Sequence, residues 1–193
     1  MDWMQVFTLV TGVIYIILEI RQKNFMWVVG IVTSLAAMWV FFRQGLYASF
    51  GLNAYYLITA FIGLWQWGKD RNKVQKSDSE GDAVHLNRLT PKVILWSAAV
   101  SVAGIFALAW LMRLVENPMS YLDSSVAVLS AVATWWLVRP YREQWWLWIV
   151  ANALSTALCA TQGMWWMSAL YAAYVASAVY GLHYWKRHGR YVE

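Results

Sequence analysis

Seven apolar stretches separated by short polar breaks run the length of this 193-residue sequence, at roughly 3–20, 25–42, 47–68, 92–115, 121–138, 144–161 and 164–185. Each approaches the ~20 residues that an α-helix needs to cross the hydrocarbon core of a bilayer. Polar residues intrude near the edges of the first and fifth, at Glu19 and Asp123. One break is long: residues 69–91 (KDRNKVQKSDSEGDAVHLNRLTP) are polar, mixed in charge and end at Pro91, which predicts a mobile loop rather than a folded domain. The pattern predicts an all-α membrane protein of seven transmembrane helices, forming a single transmembrane domain over residues 1–193.

Composition explains why the bilayer is needed. The chain is 61% hydrophobic and 13% charged, where a soluble domain is nearer 45–50% apolar and about 25% charged. A core built from so short a chain cannot hide that much apolar surface from water. The N-terminus (MDWMQVF) lacks the basic region of a signal peptide, so the first stretch reads as a retained membrane helix. A single cysteine, Cys159, excludes an intrachain disulfide framework and a Cys-rich metal site. His85, His183 and His188 show no metal-ligand spacing, and no residue pattern calls for a cofactor. The formal charge of +5 would suggest nucleic acid in a soluble protein; here it reports topology. Seven crossings place Arg21, Lys23, Lys69, Arg71, Lys73, Lys76, Arg88, Lys92, Arg139, Arg142, Lys186, Arg187 and Arg190 on one side, and only Arg43 and Arg113 on the other. Basic loops stay in the cytoplasm, which predicts an outside N-terminus and a cytoplasmic C-terminus.

Sliding the chain against itself by 118 positions reveals an ungapped repeat. Arg21 falls on Arg139, Trp27 on Trp145, Gln44-Gly45 on Gln162-Gly163, Tyr56 on Tyr174, Gly63 on Gly181, Trp67 on Trp185 and Lys69 on Arg187. The predicted organisation is repeat one over 1–68, a cytoplasmic loop over 69–91, a linker helix over 92–115 and repeat two over 119–186. Three helices per repeat need one extra crossing to restart from the same face, so the two halves are expected to run parallel in a 3+1+3 arrangement, as in the sugar-efflux (SWEET) folds. Substrate sites in such folds lie near mid-membrane between the halves.

Neutral polar residues inside the spans are the candidates for that site. Asn53 and Asn152 sit among apolar neighbours, and an unpaired buried amide costs a few kcal/mol. Trp145 and Trp148 precede Asn152 by seven and four positions, which puts all three on one helical face. Two indoles beside an amide suit a flat, polar-edged aromatic ligand. Pairing between helices is the competing role for the asparagines. Gln44 and Gln162 fall near outer helix ends, where turn stabilisation competes with gating, and the paired turn glycines Gly45 and Gly163 are candidate gate positions. Tyr56 and Tyr174 occupy equivalent places in the two halves. No carboxylate or histidine lies deep in a span, as a proton-coupled carrier requires, which favours passive transport.

The stretch Asn24–Trp67, with its LYAS motif and terminal Trp-x-Trp, and the run Asp123–Trp185, with LDSSVAVLSAVATWWLVRPYREQWWLWIVANALS, the Gln-Gly turn and Gly181…Trp185, resemble the PnuC family of nicotinamide riboside transporters. The resemblance covers nearly the whole chain outside 69–91. It implies a seven-helix 3+1+3 fold, a homotrimer in the bacterial inner membrane, and facilitated diffusion of a vitamin that a cytoplasmic kinase then traps by phosphorylation. It also implies ligand-binding roles for Trp145, Trp148, Asn152 and Asn53, and for Gln162. A pyridinium ring would gain cation–π contacts of about 0.5–2 kcal/mol each.

Three positions depart from the riboside-carrying pattern: Asn53 stands in place of glutamine, Tyr171 where another member has glutamate, and Gly63-Leu-Trp-Gln-Trp67 in place of a tyrosine-rich form. Similar relatives carry thiamine or riboflavin, so thiamine is the alternative substrate. An intramembrane enzyme would need clustered His and acidic ligands or a Ser/His or Ser/Lys pair at depth, which the spans do not offer. A seven-helix receptor gains nothing evident from parallel halves.

Overall fold

The computed structural model describes residues 3–43, 47–74, 84–114 and 120–191. Among them are seven helices, α1 (Trp3–Ile20), α2 (Phe25–Arg43), α3 (Tyr47–Val74), α4 (Pro91–Arg113), α5 (Ser120–Val138), α6 (Gln144–Thr161) and α7 (Trp165–His188), with two short strands, β1 (Val84–Leu86) and β2 (Gly189–Tyr191). Each apolar stretch becomes one helix. Two run on past the expected edge, α3 through the polar Lys69–Val74 and α7 to His188.

Local chemistry sets the helix ends. Thr90 caps α4 by accepting from the Val93 N–H at 3.4 Å, and Pro91 follows at the first helical position, where its missing N–H costs nothing. The helix α1 ends in a Schellman turn: Lys23 N–H donates to Leu18 O at 2.8 Å and Gln22 N–H to Glu19 O at 3.0 Å. The left-handed position of that turn, usually glycine, is Gln22 at φ 48°. The end of α6 repeats the motif in its usual form, with Gly163 at φ 73°, Met164 N–H on Cys159 O and Gly163 N–H on Ala160 O.

The chain divides into two compact units, Met1–Leu86 with Arg187–Glu193, and Asn87–Lys186. In the first, α2 packs extensively on α3 and less on α1. In the second, α5 lies against both α4 and α6. Trp136 Nε1 donates to Ser97 Oγ at 2.9 Å, and Gly104 lets α4 approach Val128 of α5. Buried Ser168 on α7 donates to the Thr156 carbonyl of α6 at 3.0 Å.

The outside of these helices is apolar. Only 6% of the apolar stretch of α4 is buried within the chain, although the helix has 23 residues. Leu95 and Trp96 are each 72% exposed, and Phe106 and Trp110 nearly as much. A water-soluble fold hides such a surface; lipid takes it without cost.

The 69–91 segment departs from the expected mobile loop. Its first residues continue α3, and Val84–Leu86 pairs in parallel with Gly189–Tyr191. Asn87 then donates its N–H to Pro140 O at 3.1 Å and its side-chain amide to Arg139 O at 3.4 Å. Hydropathy could not reveal this, because three-residue strands show no period. Residues 75–83, and the Gln44-Gly45 pair, lie outside the described residues.

Candidate functional site

Each unit contains a cluster of two tryptophans and one glycine. In the first, Trp27 of α2 meets Trp67 of α3 edge-on, with ring centroids 5.1 Å apart and planes at 78°. In the second, Trp145 of α6 meets Trp185 of α7 at 5.4 Å and 88°. Gly63 leaves room for the Trp27 indole and Gly181 for that of Trp145; a Cβ on either would collide with the ring. These are the residues that the 118-position repeat aligns. Trp27 and Trp145 are 1% and 2% exposed.

The helix α6 carries one long face at alternating three- and four-residue steps: Trp145, Trp148, Asn152, Ser155, Cys159. Trp145, Ser155 and Cys159 are buried, whereas Trp148 and Asn152 are half-buried. Helix α7 presents a matching series, Tyr171, Tyr174, Ala178, Gly181, Trp185, the last three buried. Contacts fix the register of the two antiparallel helices at both ends, Trp145 on Gly181 and Trp185, and Ser168 on Thr156. Tyr174 meets Tyr171 edge-on, with centroids 6.0 Å apart.

Most hydroxyls in these helices are consumed locally. Ser155 and Thr156 bond back to the carbonyls of Ala151 and Asn152, and Thr134 to Ser130. The indole N–H of Trp148 is different: it is buried and has no partner among the described residues. A buried donor left unpaired costs about 1–3 kcal/mol, so this group is poised for an acceptor. The Trp145 and Trp27 N–H groups are likewise buried and unpartnered, but their rings are pinned against glycine.

Within the second unit the structure brings Trp145 together with Gly181 and Trp185, while Trp148 and Asn152 lie half-buried further along the same face of α6 and Tyr174 lies half-buried on α7. Asn53 and Tyr56 are half-buried on α3 of the first unit, where Tyr56 packs beside Tyr55 at 5.7 Å. Gln162 is exposed at the end of α6, next to the left-handed Gly163. Ser155 and Cys159 extend the α6 face beyond the residues that spacing had singled out; the same three–four step, continued two places further, would have found them. No group of three or more His, Cys, Asp or Glu side chains is arranged to hold a metal among the described residues.

Seven helices with apolar exteriors define the class, a polytopic membrane protein. A sequence model of the nicotinamide mononucleotide transporter family matches residues 2–187, and the chain belongs to that family. The nicotinamide riboside transporter PnuC of Neisseria mucosa is 28% identical over 97% of this chain and 74% of its own length. The protein of the same name from Haemophilus influenzae is 24% identical over 96% and 80%. Among solved structures, the vitamin B3 transporter PnuC superposes with a TM-score of 0.65 at 26% identity, over 94% of this chain and 81% of that one.

Proposed function

We propose that this protein takes up nicotinamide riboside by facilitated diffusion. The observation that carries the reading is the α6 face on which a buried, unpartnered Trp148 N–H adjoins the half-buried Asn152 amide, in a chain whose relatives are nicotinamide riboside transporters. In this reading Trp148 stacks on the pyridinium and donates a hydrogen bond, Asn152 reads the carboxamide, and Tyr174 closes the opposite side. Trp145, held by Gly181 and Trp185, forms the floor. Asn53 and Tyr56 are the corresponding candidates on α3 of the first half, and Gln162 acts near the outer turn.

The two halves are parallel three-helix repeats and α4 is the linker between them, which the recurrence of the Trp–Gly–Trp cluster supports. The N-terminus is outside and the C-terminus cytoplasmic, in the inner membrane of a bacterium, as the distribution of basic residues favours. The protein works as a homotrimer, and phosphorylation by a cytoplasmic kinase traps the substrate. Passive transport accords with the absence of a carboxylate or histidine at the centre of the described spans.

The test is calorimetry on purified protein with nicotinamide riboside, thiamine and riboflavin side by side, followed by uptake into liposomes. Tight binding and downhill uptake of nicotinamide riboside bear the reading out. The departures at Asn53, Tyr171 and Gly63–Trp67 from the riboside-carrying pattern keep thiamine, or riboflavin, as the second reading. Binding of thiamine alone would keep the transport mechanism and replace the substrate.

A further inference from the structure

At one end of α4 and α5, the second compact unit carries basic charge above an apolar wall. Two ties fix that end. Trp136 Nε1 donates to Ser97 Oγ at 2.9 Å. Asn87, just ahead of α4, donates its N–H to Pro140 O and its side-chain amide to Arg139 O. Lys92 lies between Asn87 and Ser97 in the chain, and Arg139 between Trp136 and Pro140. Both charges therefore stand at the same end of the helix pair.

The contacts also set which way these residues turn. Ser97 meets Trp136, Gly104 lies against Val128 and Phe106 meets Tyr121, so the two helices run antiparallel. Each helical residue turns about 100° from the one before it. In an antiparallel pair, the residues just ahead of two facing positions consequently turn to the same side. Those residues are Trp96 and Trp135, 72% and 38% exposed. Lys92, Trp96 and Val100 follow at four-residue steps along one exposed face of α4. On α5 the Arg139 guanidinium lies over the Trp135 ring, 5.3 Å from its centroid. One side of the pair thus presents two cations above two open indoles.

What this side lacks is a negative charge. Arg142, close by in sequence, has its carboxylate partner in Glu143 at 3.3 Å. Lys92 and Arg139 are exposed and have no acidic partner among the described residues. The first turn of α4 holds no acidic side chain, although the helix dipole favours an anion there and disfavours the lysine. An anionic phospholipid has the complementary order, a phosphate above acyl chains. A free phosphate would leave the indoles uncovered.

We propose that this side of α4 and α5 binds an anionic phospholipid. Lys92 and Arg139 hold its phosphate, and its chains lie on Trp96, Trp135 and Val100. In the topology proposed above this end is cytoplasmic, on the leaflet that carries anionic lipid. The site is separate from the α6 face assigned to substrate, so the two readings stand or fall independently.

Native mass spectrometry of the detergent-purified protein with phosphatidylglycerol and phosphatidylcholine tests the site. The wild type should bind phosphatidylglycerol at least ~10-fold more tightly, and Lys92→Gln with Arg139→Gln should remove that preference. Lys92→Gln alone, at an exposed position, should weaken phosphatidylglycerol binding by ~5-fold. The charge-keeping pair Lys92→Arg with Arg139→Lys should bind as the wild type does. Arg43→Gln with Arg113→Gln removes the same charge at the far ends of α2 and α4, and should leave the preference intact. Equal binding of the two lipids, or equal loss in both neutralised pairs, would overturn the proposal. Displacement of the lipid by glycerol phosphate at equal concentration would also sink it, assigning the charges to a free phosphate. A changed subunit number in the Lys92→Gln, Arg139→Gln protein, with lipid binding intact, would replace the lipid by a contact between copies.

Discussion

The Trp145 indole lies so close to the Gly181 backbone that a Cβ on that residue would stand 2.5 Å from the ring. Gly63 and Trp27 repeat the relationship in the first unit. Adding one methyl group to either glycine should therefore force the ring out of place, and overpacking of this kind costs about 1–3 kcal/mol. Gly63→Ala and Gly181→Ala are each expected to lower the thermal midpoint in detergent by several degrees. Gly51→Ala on α3, where nothing lies within 4 Å of the added carbon, should leave it unchanged or raise it.

Trp148 and Trp145 should separate affinity from stability. Trp148→Phe keeps a ring and removes the buried N–H, so it is expected to weaken nicotinamide riboside binding by about 3–10-fold, the worth of one net hydrogen bond. Trp145→Ala, which empties the space against Gly181 and Trp185, should instead destabilise by about 3–5 kcal/mol. Calorimetry and thermal unfolding on both variants check the division.

The bond from Trp136 to Ser97 ties α4 to α5. Interhelical hydrogen bonds in membranes average about 0.6 kcal/mol and reach about 1.7. A double-mutant cycle of Trp136→Phe and Ser97→Ala should yield a coupling energy in that range. A value of zero would mean that other packing fixes α4.

At Gly163 the left-handed backbone costs any other L-residue roughly 1–2 kcal/mol. The variant Gly163→Ala should be destabilised by about that amount, with binding unchanged if the turn is only structural. Loss of uptake without loss of stability would assign the turn to gating.

Helix boundaries were legible because a membrane helix must be apolar throughout its crossing, and the seven stretches end where polar residues begin. The same signal stops at the bilayer surface. It therefore missed the continuation of α3 from Lys69 to Val74, where helix propensity and water take over. Spacing placed Trp145, Trp148 and Asn152 on one face of α6, but a face does not name its neighbour. That Gly181 exists to admit Trp145 was present in the repeat only as an alignment of glycines. The hydrogen bonds between the Gln22 amide and the His85 main chain left no trace, since a single glutamine amide and two three-residue strands carry no periodicity.

Helix α4 buries one residue, Ala109, and touches α5 through Ser97 and Gly104. Its exposed positions, Leu95, Trp96, Phe106 and Trp110 among them, carry the apolar surface that lipid takes, and hydrocarbon distinguishes poorly between one aliphatic side chain and another. Leucine, isoleucine, valine and phenylalanine are thus nearly interchangeable along most of its length as far as the rest of the chain is concerned. Across descendants of this sequence, α4 should drift quickly in identity while its hydropathy stays constant, with Ser97, Gly104 and Ala109 as its few fixed points.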